Sequence, residues 1–328
     1  MSERFESLQD WLRATLETSD FILKPASEDA SFRYYYRLAV DKQTFIVMDA
    51  PPDQEDCKPF VSVSNILHAS NVNVPIIHNM DLKQGFLLLS DFGDDHYLNK
   101  LSNLTANTLY TDAIQAILSM QLSSDAKELN KYDEALLRRE MSLFTDWLLD
   151  KHLRIVLDTE QTNAIDALFD LLVTNALEQP QVFVHRDFHS RNLMLTRENN
   201  PGVIDFQDAV EGPITYDLVS LLKDCYIKWT TKEVNGWVNF YLNELAMHES
   251  KLDIDREQFQ RWFDLMGVQR HLKASGIFAR LSHRDGKHGF LKDVPRTLSY
   301  IVDLRSTYKE LSPLCQLLEA SVLPGLEK

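Results

Sequence analysis

Val184-His185-Arg186-Asp187-Phe188-His189-Ser190-Arg191-Asn192-Leu193-Met194-Leu195-Thr196, resumed at Gly202-Val203-Ile204-Asp205-Phe206-Gln207-Asp208-Ala209, is the stretch on which the fold turns. The apolar run before His185 and the run Leu193-Met194-Leu195 read as two short strands, and the loop between them carries Asp187 and Asn192. A third strand, ending at Ile204, delivers Asp205. Loops held on a strand scaffold are where reacting groups tend to sit. An amide oxygen and a carboxylate suit Mg²⁺, which takes hard oxygen ligands and keeps waters and substrate phosphates. A second carboxylate off the metal can orient an attacking hydroxyl and take its proton.

The chain around this stretch divides by character. Phe5, Leu8, Trp11, Leu12 and Leu16 fall at helical spacing, so an amphipathic helix opens the chain. FILKP, SFRYYYRLAV and QTFIVMDAP then read as strands, with Asp41-Lys42 as a tight hairpin turn. A helix over about 54–69 and the strands VPIIHNMD and GFLLLSDFGDD complete a small sheet region. Beyond Asp94 helical patterns dominate, over about 105–122, 130–152, 160–177, 214–229, 232–248, 256–282 and 294–310. The division expected is a β-rich N-lobe over 1–92 and a helical C-lobe over 93–328.

Composition narrows the function classes. The 328 residues are 44% hydrophobic and 25% charged, an ordinary globular composition. A net charge of −15 excludes the basic footprint of a nucleic-acid protein and opposes binding to an anionic membrane. Cys57, Cys225 and Cys315 lie far apart and form no CxxC pair, so neither a disulfide framework nor a zinc site is suggested. The opening residues lack the basic start and apolar core of a secretory signal, and no apolar run approaches the roughly 20 residues of a membrane span. A cytoplasmic protein with no obligate protein partner is expected.

The sequence His185-Arg186-Asp187-Phe188-His189-Ser190-Arg191-Asn192, with Asp205-Phe206-Gln207 downstream, resembles the catalytic-loop and metal-loop signatures of protein kinases. With IDFQDA and then Tyr216-Asp217-Leu218 opening a helix, the wider pattern is similar to the aminoglycoside-phosphotransferase-like small-molecule kinases. That resemblance implies an α+β, protein-kinase-like two-lobed fold using ATP and Mg²⁺. It makes Asp187 the catalytic base and Asn192 and Asp205 the metal ligands. His185 is expected to brace the loop, Asp208 to be a further site carboxylate, and Asp217 either to brace the loop or to cap the helix before LVSLL.

Two features depart from the protein-kinase pattern. No glycine precedes Gly85, so the phosphate loop falls to Pro25–Arg33, with Ser27 and Ser31 as hydroxyl and N–H donors. Met48 stands about where a strand lysine is expected, which leaves Arg33, and after it Arg37, as the phosphate-facing cation. The adenine is expected against backbone groups of Ser90, Asp91 and Phe92.

Several longer phrases resemble one subgroup, the bacterial anomeric sugar kinases of cell-wall recycling that act on N-acetylmuramate and N-acetylglucosamine. These are VMDAPP, QEDC, GFLLL, VIDFQDAVEGPITYDLVSLLKDCY and QRHLKASGIFARLSHRDGK. The resemblance implies phosphorylation of the C1 hydroxyl to an α-1-phosphate, in peptidoglycan recycling. A basic stretch containing Arg270, Lys273, Arg280, Arg284 and Arg296 is open to two readings, a carboxylate-receiving surface or a solvated helix face. A choline or aminoglycoside kinase, and a pseudokinase acting as a binding module, remain as rivals.

Overall fold

The computed structural model describes residues 3–28, 32–248 and 254–326, with backbone alone for Ser27 and Glu28. The chain falls into two compact units, one of Met1–Asp95 with Met194–Asp208 and one of His96–Leu193 with Ala209–Lys328. The segment 194–208, which a linear division at residue 92 leaves with the larger lobe, clusters with the smaller unit.

The smaller unit is a sheet backed by a helix. Helix α1 (Glu3–Leu16) precedes strands β1 (Ile22–Glu28), β2 (Tyr34–Val40) and β3 (Gln43–Asp49); α2 (Lys58–Ala69), β4 (Ile77–Asp81) and β5 (Phe86–Ser90) follow. The sheet is antiparallel throughout, in the order β1-β2-β3-β5-β4. Asp41 and Lys42 both take positive φ, 46° and 66°, so β2 and β3 are joined by the tight two-residue turn whose twist matches the strands. The apolar face of α1 lies on the sheet: Leu8 and Leu12 are sealed against Leu38, Val47, Phe86 and Leu88. Arg4 on the same helix donates to Asp49 Oδ1 at 2.5 Å and to Gln84 O at 2.8 Å. Gly85 has φ +74°, and a Cβ there would lie 1.9 Å from Ala50 O, so only glycine lets β5 approach the end of β3. Helix α2 begins at Lys58 rather than 54, because Pro59 lacks an N–H and suits only the first turn.

The larger unit is mostly helical. It runs through α3 (Tyr97–Lys100), α4 (Ala106–Ser123), α5 (Glu134–Leu143), α6 (Thr159–Leu177), the strand β6 (Gln181–Val184) and the two-residue strands β7 (Leu193–Met194) and β8 (Gly202–Val203), of which β8 lies in the segment returned to the smaller unit. Then come β9 (Val210–Pro213), α7 (Tyr216–Leu222), α8 (Thr231–His248), α9 (Arg256–Asp285), α10 (Val294–Val302), α11 (Ser312–Leu317) and α12 (Leu323–Leu326). The 30-residue α9 is the spine, with 18 buried residues. Its Gly276 meets the end of α5 so closely that a Cβ would fall 2.2 Å from the Leu143 carbonyl carbon. There the helical ladder widens to a π-helix over Phe144–Leu153, so the segment 130–152 expected as one regular helix changes pitch midway.

Two other expectations need correction, and one strand was not expected. The helix expected over 214–229 stops at Leu222, since Asp224 Oδ1 accepts the Tyr226 N–H at 2.9 Å in an Asx turn that ends helical pairing. The helix expected over 294–310 stops at Val302. Strand β9 pairs antiparallel with β6, Val184 opposite Val210, although its sequence VEGP has little strand character.

Candidate active site

Strand β6 hands the chain to His185 in the larger unit, and the loop from there to Asn192 is held at both ends by carboxylates of the 216–224 region. The Asp217 carboxylate, fully buried, accepts the backbone N–H of His185 at 2.7 Å and of Arg186 at 3.1 Å. The Asp224 carboxylate accepts the Ser190 N–H at 3.0 Å and the Ser190 hydroxyl at 2.5 Å. Between these anchors Asn192 Nδ2 donates to the Asp187 carbonyl at 3.0 Å, which fixes the amide's orientation. The Asp187 N–H lies 3.3 Å from His185 Nδ1, so the sealed His185 ring accepts it and steadies the loop. Asp217 is not the cap of α7; Thr215 holds that position.

Arg186 adopts φ 76°, a left-handed backbone that a non-glycine residue holds only under constraint, at a cost of roughly 1–3 kcal/mol. The constraint is visible: the Asp217 bonds grip its backbone and an ion pair with Glu140 grips its guanidinium. Glu140 also bonds the Tyr132 hydroxyl and lies 3.1 Å from Lys273 Nζ, while Lys273 donates to Tyr216 Oη at 2.9 Å. Glu140 and Lys273 are both buried. This network sets the electrostatics of the loop. Burial pushes the Asp187 carboxyl up, but Lys273 first, then His189, Arg270 and Arg186, pull it down to about 2. Asp187 is therefore an ionised acceptor near neutral pH. Burial lifts Asp217 to about 7 against the two N–H groups it accepts.

The remaining sequence-derived candidates lie in the smaller unit. Asp205 follows β8 with φ 65°, a second strained non-glycine backbone, and accepts Gln207 Nε2 at 2.8 Å. Phe206 is sealed against Phe60 of α2 with ring centroids 4.7 Å apart, and Asp208 is exposed. Arg33 is ion-paired to Glu55 at 2.9 Å, just ahead of α2. Arg37 binds Asp91 at 2.7 Å, Asp94 at 2.7 Å and the Gly93 carbonyl at 3.1 Å, so it is committed to staying the segment after β5. Ser90 Oγ accepts the Ile76 N–H at 2.9 Å, and Phe92 packs over Gly202. Ser31 and the Ser27 side chain lie outside the described residues.

Sequence reasoning missed Glu140, Tyr132 and Asp224. Asp224 carried a signal, since it repeats the Asp217 position after two helical turns. Glu140 did not: a glutamate within a helical pattern reads as a solvated face until the fold buries it. The larger unit also holds a cavity of about 380 Å³ lined by Arg138, Ser142, Leu157, Ile165 and Phe169, and no residue of the 185–192 loop lines it. Among the described residues, no helix is long and apolar enough to cross a membrane.

Comparison with known proteins agrees with this reading. A curated relative from Pseudomonas aeruginosa, named N-acetylmuramate/N-acetylglucosamine kinase, is 46% identical over 99% of this chain and 98% of its own length. One of the same name from Neisseria meningitidis is 40% identical over 96% of this chain and 95% of its own. Among solved structures, the choline kinase LicA from Streptococcus pneumoniae has a TM-score of 0.64 at 11% identity, covering 91% of this chain and 99% of its own. The ADP-bound aminoglycoside phosphotransferase APH(2'')-Ib has a TM-score of 0.59 at 15% identity, covering 90% and 97%. These two establish a shared α+β kinase-like fold. The model of the phosphotransferase enzyme family matches residues 22–258, and the chain belongs to that family.

Proposed function

We propose that this protein transfers the γ-phosphoryl group of ATP to the anomeric hydroxyl of N-acetylmuramate or N-acetylglucosamine, giving the α-1-phosphate. The observation that carries the reading is kinship of 40–46% identity, over nearly the whole chain, with proteins named for those two sugars. The loop geometry supports it. Asp187 is anchored through its neighbours at Asp217 and Asp224 and kept ionised, as a group that receives a hydroxyl proton must be. A carboxylate near 2 is a weak base, but the anomeric hydroxyl is more acidic than an ordinary alcohol, and phosphoryl transfer is loose enough that the proton moves late. Positioning and charge neutralisation then supply most of the rate.

Asn192 and Asp205 are the oxygen donors we assign to Mg²⁺. The fit rests on their hard oxygens and on the bonds that orient each side chain, Asn192 on the Asp187 carbonyl and Asp205 with Gln207. When bound, the ion neutralises charge on the β- and γ-phosphates. Arg33, held by Glu55 ahead of α2, is the cation we assign to the nucleotide phosphates in place of a strand lysine, an ion pair of the kind kinases make with their helix glutamate. The backbone of Ser90 to Phe92 is assigned to adenine, and Ser27 and Ser31 to the phosphates. Three free buried thiols accord with a cytoplasmic setting and the recycling of cell-wall sugars.

Phosphorus NMR during turnover with N-acetylmuramate tests the reading, with an anomeric phosphate expected. A 6-phosphate product would overturn the position, and release of ADP with choline or an aminoglycoside, and with neither sugar, would overturn the substrate.

A further inference from the structure

Arg270 is a buried cation that forms no ion pair among the described residues. It is 5% exposed in the middle of α9. Among the described residues no carboxylate lies within ion-pairing distance of its guanidinium, and its side chain makes one hydrogen bond, a long one from Nη1 to the Cys225 sulfur at 3.8 Å. Its neighbours differ. Arg186 and Lys273 are paired with Glu140, Lys223 with Asp264 at 2.7 Å and Arg296 with Asp293 at 2.6 Å. The carboxylates nearby already hold other donors: Asp217 the N–H groups of His185 and Arg186, Asp224 the Ser190 and Tyr226 groups. A guanidinium offers five N–H donors in a planar fork, and burying it unpaired is costly unless a ligand completes it.

Its place in the fold says which ligand. Cys225 follows Asp224, the carboxylate that holds Ser190, three residues beyond Asp187. The next residue on α9, His271, lies 2.9 Å through Nε2 from the Lys223 carbonyl, so this turn of α9 is docked on the segment that anchors the catalytic loop. The charge of Arg270 is felt at Asp187 itself. The nitrogens of Arg270 that bond nothing are not sealed from solvent.

We infer that Arg270 is the specificity-determining residue that binds a carboxylate on the sugar acceptor, through its guanidinium fork. The inference rests on the proposed sugar-kinase function and deepens it. Of the two sugars, N-acetylmuramate carries a lactyl carboxylate and N-acetylglucosamine does not. A carboxylate fits the fork in two parallel bonds, and a lysine would not reproduce that geometry.

The test is the ratio of kcat/KM for N-acetylmuramate to that for N-acetylglucosamine, in wild type, Arg270→Gln and Arg270→Lys. Loss of one charged hydrogen-bonding partner lowers that ratio about 30-fold in Arg270→Gln, through KM for N-acetylmuramate. An unchanged ratio, with both sugars affected equally or neither affected, overturns the assignment; so does a rise confined to KM for ATP, which would make the ligand a nucleotide phosphate. The methyl ester of N-acetylmuramate asks the same question of the unmutated protein, where folding is not at issue: the ester is expected to lose the advantage of the free acid. Should the wild type turn over neither sugar, the function reading fails. Calorimetric binding of the acid against its ester then still decides the inference, equal affinities overturning it.

Discussion

Glu140→Gln probes the network beneath the 185–192 loop. Glu140 is 5% exposed and is the shared acceptor for Arg186, Lys273 and the Tyr132 hydroxyl. Glutamine keeps the volume and can still pair with Tyr132, so packing is preserved and the charge alone is lost. Two cations then remain over a buried site with no shared counter-ion, and breaking a buried ion pair this way costs about 3–5 kcal/mol. Against a typical total stability of about 5–15 kcal/mol that is a large fraction. For a unit of this size each kcal/mol shifts Tm by ~2–4 °C, so a fall of ~10 °C is expected at pH 7. The pH dependence has a definite sign. Burial opposes ionisation, but Lys273 and Arg186 hold Glu140 below its usual value of 4.5. Its contribution is therefore full above that value and lost as pH falls through the folded one, so the gap between variant and wild type narrows on acidification. Thermal unfolding followed by circular dichroism from pH 3 to pH 8 measures it. A Tm within 2 °C of wild type at pH 7, or a gap that widens in acid, would refute the charge argument. The double variant Glu140→Gln/Lys273→Met removes one stranded cation and is expected to recover part of the loss.

Asp187→Asn is expected to lower kcat by about 10²–10⁴-fold in a folded protein, and product formation near the wild-type rate would remove Asp187 from the mechanism. The same variant loses about 2 kcal/mol of stability at neutral pH, because the carboxylate drops from 3.8 to about 2 in the fold; the difference is expected to vanish between pH 4 and pH 2 in denaturant titrations. Gly85→Ala places a methyl against Ala50 O at a backbone with φ +74°, and urea unfolding is expected to show a loss of at least ~2 kcal/mol, with a neutral result refuting the close approach. Arg33→Ala is expected to raise KM for ATP, as the loss of a direct phosphate contact; Arg37→Ala acts through the Asp91–Asp94 segment. Unchanged KM in both would reject a nucleotide role for either arginine.

The course of the loop from His185 to Asn192 was legible because its contacts are partly local. Asp187 and Asn192 sit five residues apart on one loop, and that spacing puts the Asn192 amide within reach of the Asp187 carbonyl. The turn at Asp41-Lys42, the amphipathic α1 and the β-rich start followed by long helices could also be read directly, since each depends on side-chain period or turn chemistry within a dozen residues. What went wrong had one local cause and one tertiary cause. The helix expected through residue 229 ends at Leu222 because Asp224 bonds the backbone two residues on, an alternative that periodicity does not weigh. Strand β9 forms from VEGP because β6 offers it a ladder, a tertiary partner overriding weak propensity.

The linear order of residues determined that this chain would carry an acid–amide–acid motif on short strands, a small sheet before it and helices after it. Charge balance, cysteine usage and motif spacing are properties of the chain itself. Only the tertiary structure decided which polar groups are buried together. Glu140 and Lys273 are 133 positions apart and neither differs in sequence from a surface residue, yet they meet at 3.1 Å beneath the loop. Arg270 lies in a stretch of basic residues that look alike until α9 packs, and packing leaves Arg270 buried with no ion pair among the described residues. Burial makes the difference: a charge in water is indifferent to its neighbours, whereas one removed from water must be answered by a specific partner, and which partner that is depends on how distant segments pack.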